Sequence, residues 1–118
     1  MQTIFHYKYR DAGNFKSFGS VVLDGCLSEA EKDAIIRKFD MDDLFVAEQI
    51  GIPPLYEPLY VFSDGPISLD HAWHEFSCFE EVESVASPQP SWGNAKAFYE
   101  RILSVDDWNM RLSPNCAL

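Results

Sequence analysis

Several features are scarce or missing in this 118-residue chain, and each excludes a class of protein. No apolar run approaches the ~18 residues that a membrane-spanning helix needs. The opening residues, "MQTIFHYKYR", lack the apolar stretch of a signal peptide. Cys26, Cys78 and Cys116 are odd in number and form no C-x-x-C pair, so a disulfide framework is not expected. We therefore expect a cytoplasmic protein with reduced thiols.

The most informative absence is that of positive charge. No Lys or Arg occurs from Phe39 to Ala95, whereas eleven carboxylates fall in that span, and the whole chain has a net charge of −10. Such a charge repels nucleic acid and anionic membranes, because contacts to phosphates need Lys and Arg. It favours attraction to a basic protein surface instead. A solvated acidic surface without a partner is the alternative interpretation.

The residues that are present predict a folded core and a single domain, residues 1–118. Hydrophobic residues make up 47% and aromatic residues 14% of the chain, which is too much for a disordered protein. Two aromatic and β-branched segments, residues 3–10 and 15–25, predict a hairpin that turns around Gly13. Strand alternation divides the first segment between two faces, with Phe5, Tyr7 and Tyr9 on one and His6, Lys8 and Arg10 on the other.

A helix is predicted after this hairpin, because Ser28 and Glu31 have the spacing of a capping box. Residues 44–47 and 59–62 are short apolar runs that predict strands, separated by an extended Pro-rich loop that contains the P-P-x-Y tetrapeptide "PPLY". Residues 84–91 are a Ser/Pro linker, and a final helix is predicted from Trp92. The predicted fold is α+β, an antiparallel sheet of four to five strands with a helix after the first hairpin and a C-terminal helix.

The stretch "DHAWHEF", residues 70–76, contains the residue types of a metal site. On a helix, His71, His74 and Glu75 share a face and provide ligands for zinc. On a strand, alternation places His71 and His74 on opposite faces and disperses the set. We favour a strand after Trp73, and with it an aromatic anchor of Trp73 and Phe76 under a polar surface.

Three segments together resemble a group of small bacterial proteins that are described only as hypothetical. They are "YKYRDAGNFK", "AEQIGIPPLYE" and "DHAWHEF", and the resemblance extends from about Tyr7 to about Glu83. It implies a bacterial or phage source. It assigns no catalytic or binding residue.

The favoured hypothesis is a small acidic protein-binding module without catalytic residues or a cofactor. It predicts a basic, nucleic-acid-binding partner, such as a CRISPR or restriction complex of bacterial defence, that is inhibited by charge mimicry or steric blocking. The predicted partner-binding residues are Asp40, Asp42, Asp43, Glu48, Glu57, Asp64, Asp70, Glu80, Glu81 and Glu83. One alternative is a metal-dependent hydrolase or metal-binding protein that uses His71, His74 and Glu75. Another is a structural protein that forms homo-oligomers.

Overall fold

A computed structural model describes residues 1–10, 16–40, 43–56, 73–83, 90–109 and 112. The elements in chain order are β1 (Gln2–Arg10), β2 (Lys16–Asp24), α1 (Glu29–Lys38), β3 (Leu44–Val46), a 3₁₀ helix (Ala47–Ile50), β4 (Trp73–Val82), β5 (Ser91–Asn94) and α2 (Ala95–Leu103). The strands form one sheet in the order β3-β4-β1-β2-β5. The α+β prediction is confirmed, with one helix after the hairpin and one near the C-terminus.

The sheet is mixed, which corrects the prediction of an antiparallel sheet. β1 pairs antiparallel with both β2 and β4, and β3 pairs antiparallel with β4. β5 instead runs parallel to β2. We expected residues 92–94 to begin the final helix, but they form most of β5. The helix starts at Ala95, three residues later than predicted, because the side chain of Asn94 caps it, accepting hydrogen bonds from the backbone N–H groups of Lys96 and Ala97.

The predicted capping box of α1 is present. The Ser28 side chain accepts a hydrogen bond from the Glu31 backbone N–H, and the Glu31 carboxylate accepts one from the Ser28 backbone N–H. These two bonds satisfy donors that the first turn of a helix leaves without partners. α1 contributes Ile35 to the core, with Phe39 following as its C-cap.

The core lies between one face of the sheet and the two helices, and Phe5 is at its centre. Phe5 is completely buried, and its ring centroid lies 5.2–6.3 Å from those of six other aromatic residues, namely Tyr7, Phe39, Phe45, Phe76, Phe79 and Phe98. The three aromatic side chains that were expected to share one face of β1, Phe5, Tyr7 and Tyr9, are all buried. Aromatic pairs at these distances add to the free energy of burial by about 0.5–1.5 kcal/mol each.

A segment without regular structure, Gly51–Tyr56, covers the core face at the hairpin end of the sheet. It leaves the 3₁₀ helix through Gly51, whose φ of 72° is favourable for glycine. The Tyr7 hydroxyl donates a 2.6 Å hydrogen bond to the Pro53 carbonyl. Gly19 leaves room for Leu55, since a Cβ at that position would come within 2.7 Å of Leu55 Cδ2. The hairpin end is therefore closed by an extended segment, whereas the two helices cover the rest.

Candidate functional site

The C-terminal ends of α1 and α2 lie on the same side of the molecule. Near their first turns, Lys96 Nζ lies 2.6 Å from Glu31 Oε2. Near their last turns, Lys38 Nζ donates a 2.6 Å hydrogen bond to the Val105 carbonyl. The two helices thus run in the same direction, and the negative ends of their dipoles add at one end of the fold.

Four exposed aspartates border these helix ends, Asp40, Asp43, Asp106 and Asp107, and we call this set the aspartate pole. Within the described residues, Asp43, Asp106 and Asp107 take part in no ion pair. The pole therefore presents negative charge to solvent, with the helix dipoles behind it. Of the nearby cations, Lys38 is already bonded to a carbonyl.

Trp108 holds the two halves of the pole together. Its indole N–H donates a 2.9 Å hydrogen bond to the Lys38 carbonyl, and its ring centroid lies 6.3 Å from those of Phe39 and Phe45. Asp106 and Asp107 immediately precede Trp108, and Asp40 immediately follows Phe39. The tryptophan contacts thus bring two sequence-distant acidic turns to one place.

Gln49 of the 3₁₀ helix holds the segment that contains Asp106 and Asp107 in place. Its amide N–H donates to the Asp107 carbonyl at 2.9 Å, and its amide oxygen accepts from the Asn109 backbone N–H at 2.7 Å. A polar cleft of about 430 Å³ opens beside these two hydrogen bonds. It is lined by Gln49, Arg101, Ser104, Val105, Asp106 and Asp107. Asp107 is consequently held by backbone contacts while its carboxylate stays exposed.

The predicted partner-binding carboxylates do not form one continuous face. Asp40 and Asp43 belong to the aspartate pole, and Glu83 is exposed just beyond the end of β4. The remaining described members, Glu48, Glu80 and Glu81, contact other side chains of the fold. Asp42, Glu57, Asp64 and Asp70 lie outside the described residues, as does the predicted strand at residues 59–62. Of the predicted linker, residues 84–89 also lie outside.

Three carboxylates of the predicted set have intramolecular partners. Glu81 Oε1 lies 2.6 Å from Lys32 Nζ, and this hydrogen bond raises the pKa of Lys32. Glu80 Oε1 lies 2.9 Å from His6 Nε2 on the neighbouring strand. The Glu48 carboxylate accepts the Tyr56 hydroxyl hydrogen bond. These side chains connect elements of the fold, so their charge is partly compensated.

The basic and acidic segments that are far apart in the sequence lie side by side in the fold. The basic strand β1 pairs directly with the acidic strand β4. Glu75 lies between two β1 cations, with its carboxylate 3.5 Å from Lys8 Nζ and 3.4 Å from Arg10 Nε. A span without cations in the sequence therefore receives its cations from a distant segment.

The three residues of the metal hypothesis do not converge in the described structure. The predicted strand is confirmed as β4, so His74 and Glu75 point to opposite faces of the sheet. His74 is completely buried, and Glu75 lies with Lys8 and Arg10. His71 lies outside the described residues, and no group of three potential ligands that could hold a metal occurs within them.

The contacts of His74 connect β4 to the segment Gly51–Tyr56. Its Nε2 accepts a 3.1 Å hydrogen bond from the Leu55 backbone N–H, so this nitrogen carries no proton. Its ring centroid lies 5.0 Å from that of Tyr56 and 5.2 Å from that of Tyr9. The histidine therefore anchors the segment Gly51–Tyr56 to β4. The same contacts bury Tyr56, which removes the tyrosine of the P-P-x-Y tetrapeptide from solvent.

Sequence reasoning missed Asp106 and Asp107, because they lie outside the span without cations. A signal was available, since two adjacent acids directly follow the predicted final helix. Their proximity to Asp40 could not be read from the sequence, because it depends on the parallel arrangement of α1 and α2. Cys26 and Cys78 are exposed, although isolated cysteines are more often buried.

Comparison with known proteins provides no relative for this site. No family model matches the chain, and neither a curated protein nor a solved structure is significantly similar to it. Among the described residues, no helix has the length and apolar character to cross a membrane.

Proposed function

We propose that this chain is a protein-binding module that engages the basic surface of a nucleic-acid-binding protein through its aspartate pole. The observation that carries the proposal is the set of exposed aspartates at the joint C-terminal ends of two helices. A cationic groove that normally holds phosphates has the complementary charge. Complexes that defend bacteria against foreign DNA, including CRISPR and restriction complexes, contain such grooves.

The overall charge balance supports this choice of partner. Within the described residues, four cations, Lys8, Arg10, Lys32 and Lys96, are paired with four carboxylates, Glu29, Glu31, Glu75 and Glu81. The chain has nineteen acids and nine bases, so acids exceed bases by ten whichever of them pair. Internal pairing therefore does not remove the net negative charge, and a direct complex with DNA or RNA is opposed by repulsion.

Inhibition follows from occupancy of the groove. Duplex DNA carries one charge per ~1.7 Å of axis, and closely spaced carboxylates imitate part of that line. The pole needs to occupy only part of the groove, because the folded body behind it excludes the nucleic acid sterically. Salt weakens such a complex, as the Debye length falls from ~10 Å at 0.1 M to ~3 Å at 1 M.

The test is capture from a bacterial lysate followed by elution with a short DNA duplex. We expect the immobilised protein to retain at least one nucleic-acid-binding protein at low salt, and the duplex to displace it. The triple variant D43K/D106K/D107K should lose that capture. The control variant E29K/D33K/E100K makes the same change in net charge at other exposed positions and should retain most of it.

Two outcomes contradict the proposal. If no captured protein is displaced by the duplex, the partner is not a nucleic-acid-binding surface. If both triple variants lose capture equally, net charge alone determines binding and the aspartate pole has no special role.

A further inference from the structure

Within the described residues, Cys78 is one of two exposed free cysteines, and the other is Cys26. Cys78 lies in β4 at a point where the pairing with β1 shifts and leaves Ser77 without an opposite residue. An extra residue of this kind is a β-bulge, which changes the direction of the side chains beside it. Ser77 and Cys78 are exposed in succession, so the thiol is accessible from solvent.

A histidine and a carboxylate lie beside this thiol. His6 of β1 is directly opposite Cys78, and the Cβ atoms of such antiparallel pairs are about 4.5–5.5 Å apart on one face of the sheet. Glu80 Oε1, two residues along β4, lies 2.9 Å from His6 Nε2. Since an ionised carboxylate only accepts hydrogen bonds, Nε2 carries the proton and Nδ1 is the basic nitrogen. The three groups are those of a nucleophile, its base and the residue that orients the base.

The accessible area around Cys78 is small. The His6 side chain is 33% exposed and that of Glu80 is 54% exposed. Ile4 and Val22 lie on the same face of the sheet but are each only 5% exposed, so this face is not open as a whole. The thiol, the imidazole and the carboxylate can therefore meet a small molecule more readily than the surface of another protein.

We propose that Cys78 is a site of thiol–disulfide exchange with small disulfides, assisted by His6. His6 Nδ1 takes the proton of the Cys78 thiol, and the thiolate attacks one sulfur of the disulfide. An S–S bond to Cys78 forms as the S–S bond of the reagent breaks, and the leaving thiolate takes the proton from the imidazolium. Cys78 is oxidised and the leaving half of the reagent is reduced, so no further oxidant is needed. Glu80 is a positioning residue that holds the imidazole and stabilises its charged form.

Cys26 provides a comparison within the same molecule. β2 continues for four residues beyond Ser20, which is the residue opposite His6, and Cys26 follows the end of this strand. At ~3.3 Å per residue, Cys26 lies at least about 13 Å along the sheet from His6. The other described histidine, His74, is completely buried. Exposure alone predicts equal reaction of the two thiols, whereas assistance by His6 predicts faster reaction of Cys78.

Mass spectrometry of the full chain during reaction with bis(2-hydroxyethyl) disulfide measures both rates in one sample. This reagent is uncharged, so the net charge of the protein does not bias the comparison. At neutral pH we expect the mixed disulfide to form at least about tenfold faster at Cys78 than at Cys26. The ratio should approach one at about pH 9, because thiols ionise there without a base.

The variant H6Q separates assistance from exposure. Glutamine retains a donor for Glu80 but has no basic nitrogen, so the rate at Cys78 should fall to that at Cys26. Circular dichroism verifies that the variant is folded. Wild-type thiols that react equally at neutral pH, or an H6Q variant in which Cys78 stays the faster thiol, overturn the inference.

The variant E80Q tests the positioning role of Glu80. It removes the charge that stabilises the imidazolium, so the rate at Cys78 should fall at neutral pH and stay unchanged at about pH 9. The control E100Q removes an exposed carboxylate of α2 and should change the rate of neither thiol. If E80Q and E100Q have the same pH profile at Cys78, the role assigned to Glu80 is wrong.

Discussion

Replacement of His74 by phenylalanine tests whether this residue is structural. The substitution keeps an aromatic ring among Tyr9, Phe45 and Tyr56 but removes the nitrogen that accepts the Leu55 N–H. A buried donor that loses its acceptor costs about 1–3 kcal/mol. We therefore expect the free energy of unfolding of H74F to fall by about that amount.

The expected change in melting temperature follows from the chain length. Unfolding entropy is about 2.1 cal/mol/K per residue, so 118 residues give roughly 0.25 kcal/mol/K. Each kcal/mol then lowers the Tm by about 4 °C, and H74F should melt about 4–12 °C below the wild type. Urea unfolding followed by tryptophan fluorescence provides the free energy independently of the thermal scan.

The matched control is the same substitution at the other described histidine. His6 is partly exposed and contacts the exposed Glu80, a type of pair that contributes about 0–1 kcal/mol. H6F should therefore cost less than H74F. If H74F is as stable as the wild type, or if H6F is the more damaging change, the anchoring role assigned to His74 is wrong.

Two further predictions concern contacts that join elements of the fold. The hydrogen bonds from Lys96 and Ser28 lower the pKa of Glu31 below its ordinary value of 4.5. The ionised carboxylate therefore stabilises the folded state fully above pH 4.5, and this stabilisation is lost as the pH falls through the lowered pKa. The variant E31Q retains the capping geometry, so the acid side of its plot of stability against pH should be shallower than that of the wild type; an unchanged slope contradicts the assignment. Burial raises the pKa of the Tyr7 hydroxyl, which donates a hydrogen bond to the Pro53 carbonyl. The variant Y7F should lower the free energy of unfolding in urea by about 0.5–1.5 kcal/mol. An unchanged free energy of unfolding would show that this hydrogen bond is dispensable.

Local signals in the sequence predicted the elements that local interactions determine. The capping box at Ser28 and Glu31 fixes the start of α1, and alternation in β1 fixes which side chains are buried. The aromatic residues of the segment that begins at Trp73 favour a strand over a helix there. These features need only neighbouring residues, which is why they could be read without a structure.

The parts that were mispredicted depend on pairing between distant segments. The parallel contact of β5 with β2 aligns Leu23 with Gly93, residues that no local pattern connects. The capping preference of Asn94 was a readable sign that the helix starts later than Trp92. The acidic span was interpreted as one surface because the sequence does not show that β1 brings Lys8 and Arg10 next to Glu75.

The central position of β1 has a consequence for the order of folding. Its partner β2 begins only five residues after β1 ends, whereas its other partner, β4, begins at Trp73. The hairpin can therefore form early, but closing the much longer loop to β4 carries a larger entropy cost and comes later. Until then, one edge of β1 has open hydrogen-bonding groups, which is a hazard for aggregation. Lys8 and Arg10 on that strand supply the charge that deters association with another unfolded chain, before Glu75 arrives to pair with them.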